Sequence, residues 1–307
     1  MRVILLLSIA CTILWTLGAC SDESSTGFDY RPDEVNADSL WETGQVELKP
    51  GIQDAMIKVN FQRRNFRYYM PENLKSEGVA LIFDFHGNMP WDPSNPYNPV
   101  GGFNKYLTCC KMADTANFIV VKPVGTVVPD AGVLGWNDTE LNALFVDKMV
   151  EYFKAGCKGL DMNRIYATGI SSGGIFCFGL ASLRSELFAA IVPLAGQYSI
   201  GSGFVKPSRV VPLLTMMGSY DSAVDPVAAY DNFVSWAVNV GGYEADGFTE
   251  WQTEVYGRWT TYYVDVTAWS GGEADLQFWL LNGVSHAIEE TVSWPAAWEF
   301  MRTHPKK

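Results

Sequence analysis

Strand-length runs that are apolar almost without interruption recur along this chain, at 79–85 (VALIFDF), 118–123 (FIVVKP), 188–194 (FAAIVPL), 211–217 (VPLLTMM) and 276–281 (LQFWLL). A strand with one wet face alternates apolar and polar residues; one that does not alternate needs cover on both faces, as in a parallel sheet clad by helices. Helix-length stretches separate most of these runs, and in 141–153 (LNALFVDKMVEYF) the apolar residues fall at helical spacing. Strand and helix in alternation predict a three-layer α/β sheet. Residues 54–70 (DAMIKVNFQRRNFRYYM) predict two leading antiparallel strands, and 250–269 (EWQTEVYGRWTTYYVDVTAW) a second strand pair late in the chain. With 48% of 307 residues hydrophobic, the material suffices for one large core, and from about residue 45 onward no repeat or low-complexity break divides it.

The N-terminal part reads differently. Arg2 precedes an apolar run from Val3 to Trp15, shorter than a membrane-spanning helix and of the length of a signal-peptide core. The run ends Leu17-Gly18-Ala19-Cys20, which resembles the lipobox of bacterial lipoproteins, whose Cys is lipidated and becomes the new N-terminus. The expectation is a signal peptide over 1–19, a lipidated Cys20, an acidic and Ser-rich tether over 20–45, and a folded domain over 46–307 exported to the cell envelope and held on the membrane by lipid.

Lys plus Arg number 22 against 34 Asp plus Glu, a net charge of −12, which argues against nucleic acid or a polyanion as partner. The Cys residues form no CxxC pair and His occurs only at 86, 286 and 304, so zinc-site spacing is missing and neither metal nor cofactor is expected. In an exported protein, Cys157 is a candidate disulfide partner for Cys109 or Cys110, while Cys177 reads as a small buried hydrophobe.

The chemistry gathers where the predicted strands end. Gly169-Ile170-Ser171-Ser172-Gly173 matches G-x-S-x-G between a predicted strand and a predicted helix, the setting of a nucleophile elbow. A serine hydroxyl needs a base to take its proton, and the base needs a carboxylate to fix its tautomer. His286, in Asn282-Gly283-Val284-Ser285-His286 after the last inner strand, is the candidate base. For the acid, Asp221 follows the 211–217 run in Gly218-Ser219-Tyr220-Asp221, and Asp225 is its rival. The order Ser171, Asp221, His286 is that of α/β-hydrolases. A developing oxyanion needs preorganised donors; the backbone N–H of Ser172 at the start of the helix is one, and Gly87 or Asn88 supplies the other. His86 beside them reads as structural support. Trp91 and Trp136, in Pro-, Gly- and Asn-rich loops at the strand ends, are candidates to hold a sugar ring or a phenolic acyl group, with burial as loop plugs the competing expectation. Trp279, inside a predicted strand, reads as core.

The stretches RYYMPENLKSEGVALIFDFHG, FIVVKPVG, LDMNRIYATGISSGG, FAAIVPLAG, VPLLTMMGSYD and LNGVSH, spread over about 64–290, resemble the polyhydroxybutyrate depolymerase-like esterases. That group overlaps carbohydrate esterase family 1, with its feruloyl and acetyl-xylan esterases. The most specific piece is D-x-x-R-I-Y-x-x-G-x-S-x-G-G at 161–174. The resemblance implies an α/β-hydrolase fold with Ser171 as nucleophile, Asp221 as acid and His286 as base. It implies a serine esterase acting on acyl or feruloyl groups of plant polysaccharides, or else on polyesters. A glycan-binding surface lipoprotein that kept the fold without activity is the reading from another class. The chain departs from the pattern at Ser172, where Asn is common, and at Ala287-Ile288, where a Trp-Pro pair is common.

Overall fold

The structure, a computed structural model, describes residues 46–100, 102–128, 131–198, 200 and 204–307. The signal-peptide, Cys20 and tether expectations lie outside the described residues.

The chain opens with the expected hairpin, β1 (Gly51–Val59) and β2 (Gln62–Met70), paired antiparallel from Gly51↔Met70 to Val59↔Gln62. The inner strands follow as β3 (Val79–Phe85), β5 (Phe118–Pro123), β8 (Leu160–Ile170), β9 (Ala190–Leu194), β10 (Leu213–Gly218) and β13 (Leu276–Leu281). Each pairs in parallel with its neighbour, in the spatial order β5-β3-β8-β9-β10-β13. β2 and β1 extend one edge. At the other, β12 (Thr261–Trp269) pairs antiparallel with β13 and β11 (Thr249–Tyr256) with β12. The late strand pair therefore widens the sheet. The near-unbroken apolar runs have the cause expected of them: all of β9 and β10, and all of β3 but Asp84, are buried.

Helices α2 (Thr139–Gly156), α3 (Ser172–Leu183) and α4 (Pro226–Asn239) cover one face, and α1 (Thr108–Ala116) and α5 (Glu290–Thr303) the other. Their starts are set locally. The Asp138 carboxylate accepts from Leu141 N–H at 3.0 Å, and Asp225 accepts from Val227 N–H at 3.0 Å ahead of Pro226 in the first turn of α4. Aromatic rings fill the interlayer space, as where Phe66 of β2 meets Phe145, Tyr152 and Phe153 of α2 edge-on. Two expectations are corrected here. Cys109, Cys110, Cys157 and Cys177 are all free thiols, Cys109 and Cys110 being buried in α1, so no disulfide forms among the described residues. Trp279 is only half-buried, because it lines a cleft of about 510 Å³ between the sheet and α5, and its Nε1 donates to Gln277 Oε1 at 3.0 Å.

The loops after β3 and β5 build a small second sheet of β4 (Met89–Pro90), β7 (Val133–Gly135) and β6 (Thr126–Val128). Trp136 follows it, and the substrate-contact expectation for this residue is overturned: it is 3% exposed. Its ring stacks on Phe176 (centroids 5.1 Å, 9° between planes) and meets Phe85 edge-on at 4.9 Å. Its Nε1 donates to the His86 carbonyl at 2.8 Å. The loop is long and needs an apolar plug to hold it on the sheet. His86 is the other fastener. Gly125 N–H donates to His86 Nε2 at 2.9 Å, so the ring proton sits on Nδ1, which donates to the Gly87 carbonyl at 2.5 Å. Burial pushes this imidazole down to about 4, and the attractive influence of the Gly87 carbonyl and Asp84 does not restore it.

Trp136→Ala opens a cavity between Phe85 and Phe176 and is expected to cost about 3–5 kcal/mol, read from denaturant unfolding. The His86 pKa is depressed on folding, so between about pH 6.5 and 4 the unfolded chain takes up a proton that the folded chain refuses. Stability is expected to fall as the pH is lowered across that window, by on the order of 3 kcal/mol, and His86→Gln should flatten the dependence in melting experiments at fixed ionic strength.

Candidate active site

Ser171 caps the N-terminus of α3 with φ 56° and ψ −119°, a conformation an L-residue adopts only under constraint. The constraint is visible atom by atom. Its N–H donates to the Leu194 carbonyl at the end of β9 (2.9 Å), and its carbonyl accepts from Ile175 N–H (2.9 Å). The glycines of the motif let backbone approach backbone. A Cβ on Gly169 would lie 2.7 Å from the Phe85 carbonyl oxygen, and one on Gly173 would be driven into that same oxygen. The turn is wedged between the ends of β3 and β9 and holds the serine clear of the sheet.

Asp221 and His286 meet across β10 and β13, which run parallel from Leu213↔Leu276 to Gly218↔Leu281 and so deliver both loops at one end of the sheet. His286 Nδ1 lies 2.8 Å from Asp221 Oδ2, while Asp221 Oδ1 accepts from Ala223 and Val224 N–H at 2.9 Å each. The Asp221 side chain is fully buried and the imidazole 31% exposed. Burial works to raise the Asp221 pKa, but the hydrogen bonds from Val224, His286 and Ala223 outweigh it, and the carboxyl is held below its ordinary value. An ionised carboxylate at this place orients the ring and stabilises the imidazolium that would form on its proton uptake. Asp225, the rival acid, is instead the N-cap of α4. Ser171 lies at the same end of the sheet, two strands from β10. Among the described residues its hydroxyl makes no hydrogen bond to the imidazole; such bonds are commonly long without substrate and tighten in the complex.

Gly87 packs against the serine: a Cβ there would lie 3.3 Å from Ser171 Cβ. The 87–88 backbone and the first amide of α3 at Ser172 thus flank Ser171, where donors for an oxyanion would be required if its hydroxyl attacked a carbonyl. Ser172 Oγ accepts from Trp136 N–H at 3.3 Å, and Asn88 Oδ1 lies against Gly135, so the small sheet braces both sides of this recess. Trp91 is 49% exposed and lines a cleft of about 530 Å³ with Arg63, Asn65, Thr126 and Asn137; neither Ser171 nor His286 lines it. Among the described residues, no group of three or more His, Cys, Asp or Glu is arranged to hold a metal ion.

Sequence reasoning missed Glu289. Its carboxylate accepts from Arg258 N–H (2.6 Å), from the Tyr262 hydroxyl (3.1 Å) and from Thr291, fastening the β11–β12 turn to the chain just past His286. Hydrogen bonding holds this carboxyl below its ordinary pKa. A lone Glu before a helix carries no sign of a partner some thirty residues back, and no motif would have found it.

No family model matches the chain. In sequence it is 28% identical over 163 residues to a bifunctional acetylxylan esterase/xylanase of Neocallimastix patriciarum, a match covering 53% of this chain and 22% of that protein. The chain thus spans about a fifth of the length of that curated relative. Among solved structures it is similar to an acetyl xylan esterase from Aspergillus awamori (TM-score 0.59, 20% identity, 82% of this chain and 99% of that one). It is also similar to a carbohydrate esterase family 1 ferulic acid esterase from Anaeromyces mucronatus (TM-score 0.53, 13% identity, 91% and 95%). This chain has the α/β-hydrolase fold and is similar in sequence to an acetylxylan esterase/xylanase and in structure to an acetyl xylan esterase and a ferulic acid esterase.

Proposed function

We propose that this protein is a serine carboxylic-ester hydrolase that removes acetyl or feruloyl groups from plant polysaccharides. The observation that carries the reading is the His286–Asp221 hydrogen bond at the sheet end where the strained elbow presents Ser171. Ser171 Oγ attacks the ester carbonyl carbon while His286 Nε2 takes its proton, and Asp221 keeps the other ring proton on Nδ1. The tetrahedral oxyanion is held by the Ser172 N–H and an N–H of the 87–88 backbone. Its collapse breaks the bond to the sugar oxygen, which leaves with the proton from His286. Water, deprotonated by the same imidazole, then hydrolyses the acyl-enzyme and restores the serine.

The substrate class is supported by the acetylxylan and ferulic acid esterases to which the chain is similar. Export and a lipid anchor at Cys20 belong to the same proposal, since a polymeric glycan is met outside the cell; radiolabelled palmitate incorporation that survives Cys20→Ala would remove the anchor.

Methyl ferulate, acetylated xylan and hydroxybutyrate oligomers, offered side by side, test the substrate. Turnover of one of the first two, absent in Ser171→Ala, is expected; turnover of the oligomers alone would overturn the glycan assignment. The two aspartates separate cleanly. Asp221→Asn is expected to lower kcat by about 10⁴-fold through the wrong imidazole tautomer. Asp225→Asn should leave kcat unchanged, because Asn caps a helix as well as Asp does. The reverse pattern would move the acid to Asp225.

A further inference from the structure

The β11–β12 hairpin carries a set of rings that the fold does not use. Trp259 is 85% exposed, Tyr256 74% and Tyr263 62%. β12 runs antiparallel to β13, with Val264 opposite Leu281, so the hairpin turn lies at the end of the sheet where β13 delivers His286. Tyr256 pairs with Thr261 and Tyr263 with Glu254, which makes the two tyrosines diagonal neighbours on one face. Further along that face Gln252 Nε2 donates to Asp265 Oδ1 at 2.6 Å, and Asp265 Oδ2 accepts at 2.8 Å from Asn282, which opens the loop of His286. Rings, carboxylates and amides thus run without a break from the turn to the catalytic loop. On the opposite face, the Glu289 hydrogen bonds hold the turn in place.

Large rings bared to water and rimmed by polar groups mark a binding surface. The chain is acidic overall, and the ring-bearing face itself presents Glu254 and Asp265, which disfavours an anionic membrane or a nucleic acid as its partner. A neutral pyranose chain fits both features, since its C–H faces stack on aromatic rings and its hydroxyls pair with carboxylates and amides. β12 lies four strand positions from β8, the strand that leads into Ser171, or about 19 Å at ordinary strand spacing. A single acylated sugar does not bridge that gap. We infer that the β11–β12 turn is a docking platform for the neutral sugar backbone of a polysaccharide, several units away from the ester under attack. The inference rests on the esterase reading and names where its polymeric substrate lies.

The test is the full chain carrying Trp259→Ala with Tyr263→Ala, both exposed positions outside the catalytic machinery. The kcat/KM for 4-nitrophenyl acetate should stay unchanged, while KM for polymeric acetylated xylan should rise about five- to tenfold at constant kcat. Trp259→Phe with Tyr263→Phe should keep the low KM. Sedimentation with insoluble xylan, in a Ser171→Ala background, should be lost with the two alanines. An unchanged polymer KM together with unchanged sedimentation overturns the platform. So does an intact chain that binds anionic phospholipid vesicles or dimerises through this turn in place of binding xylan. Turnover surviving in Ser171→Ala would sink the esterase reading alone, because the sedimentation arm needs no catalysis.

Discussion

A serine held at φ 56° and ψ −119° stores strain of about 1–3 kcal/mol, and it persists only because three strand ends close around it. β8 brings the chain up to the turn, the β9 carbonyl at Leu194 takes its N–H, and the Phe85 carbonyl of β3 fills the space that side chains at 169 and 173 would need. The glycines are therefore conditions of close packing and not a flexible hinge. The same tightness brings Gly87 against Ser171 Cβ, so one packing arrangement shapes both the serine turn and the recess beside it.

What surrounds the elbow divides into a braced half and an open half. On the β3 side, neutral His86, the Trp136 plug and the small β4–β7–β6 sheet fasten the loop that packs against Ser171. Preorganised donors stabilise developing charge because they do not have to reorient when it appears, and a loop pinned by a buried ring and a neutral imidazole meets that need. On the β13 side, the His286 loop is partly exposed and leans on Asp221 beneath it and on the Glu289-tied hairpin beyond. The imidazole keeps one edge toward solvent while Asp221 fixes its tautomer.

Much of the fold was legible because burial on both faces leaves its mark directly in composition: the 79–85, 118–123 and 276–281 runs became β3, β5 and β13 with the same bounds. The elbow was legible because its backbone demands small residues at fixed positions. The acid was legible only as Asp221 with Asp225 for a rival, and what separates the two in the structure is a histidine 65 residues from Asp221. The Asp-Pro pair at 225–226 did carry the signature of a helix cap and was the one local clue. The tryptophans failed in both directions for one reason. Neither loop composition nor periodicity reports how far the covering layer extends, so Trp136 in a loop became core and Trp279 in a strand stayed partly exposed. The Glu289 fastening links elements distant in sequence through a single carboxylate and left no pattern to read.

The central claim is that the hydroxyl at 171 is made nucleophilic by the imidazole at 286. Covalent labelling with a fluorophosphonate, followed by mass spectrometry of the digested protein, tests it most directly. The account predicts one phosphonyl adduct, on the peptide containing Ser171, formed at a rate that collapses in His286→Gln. An adduct on another residue, or labelling of Ser171 at an undiminished rate in His286→Gln, would contradict it.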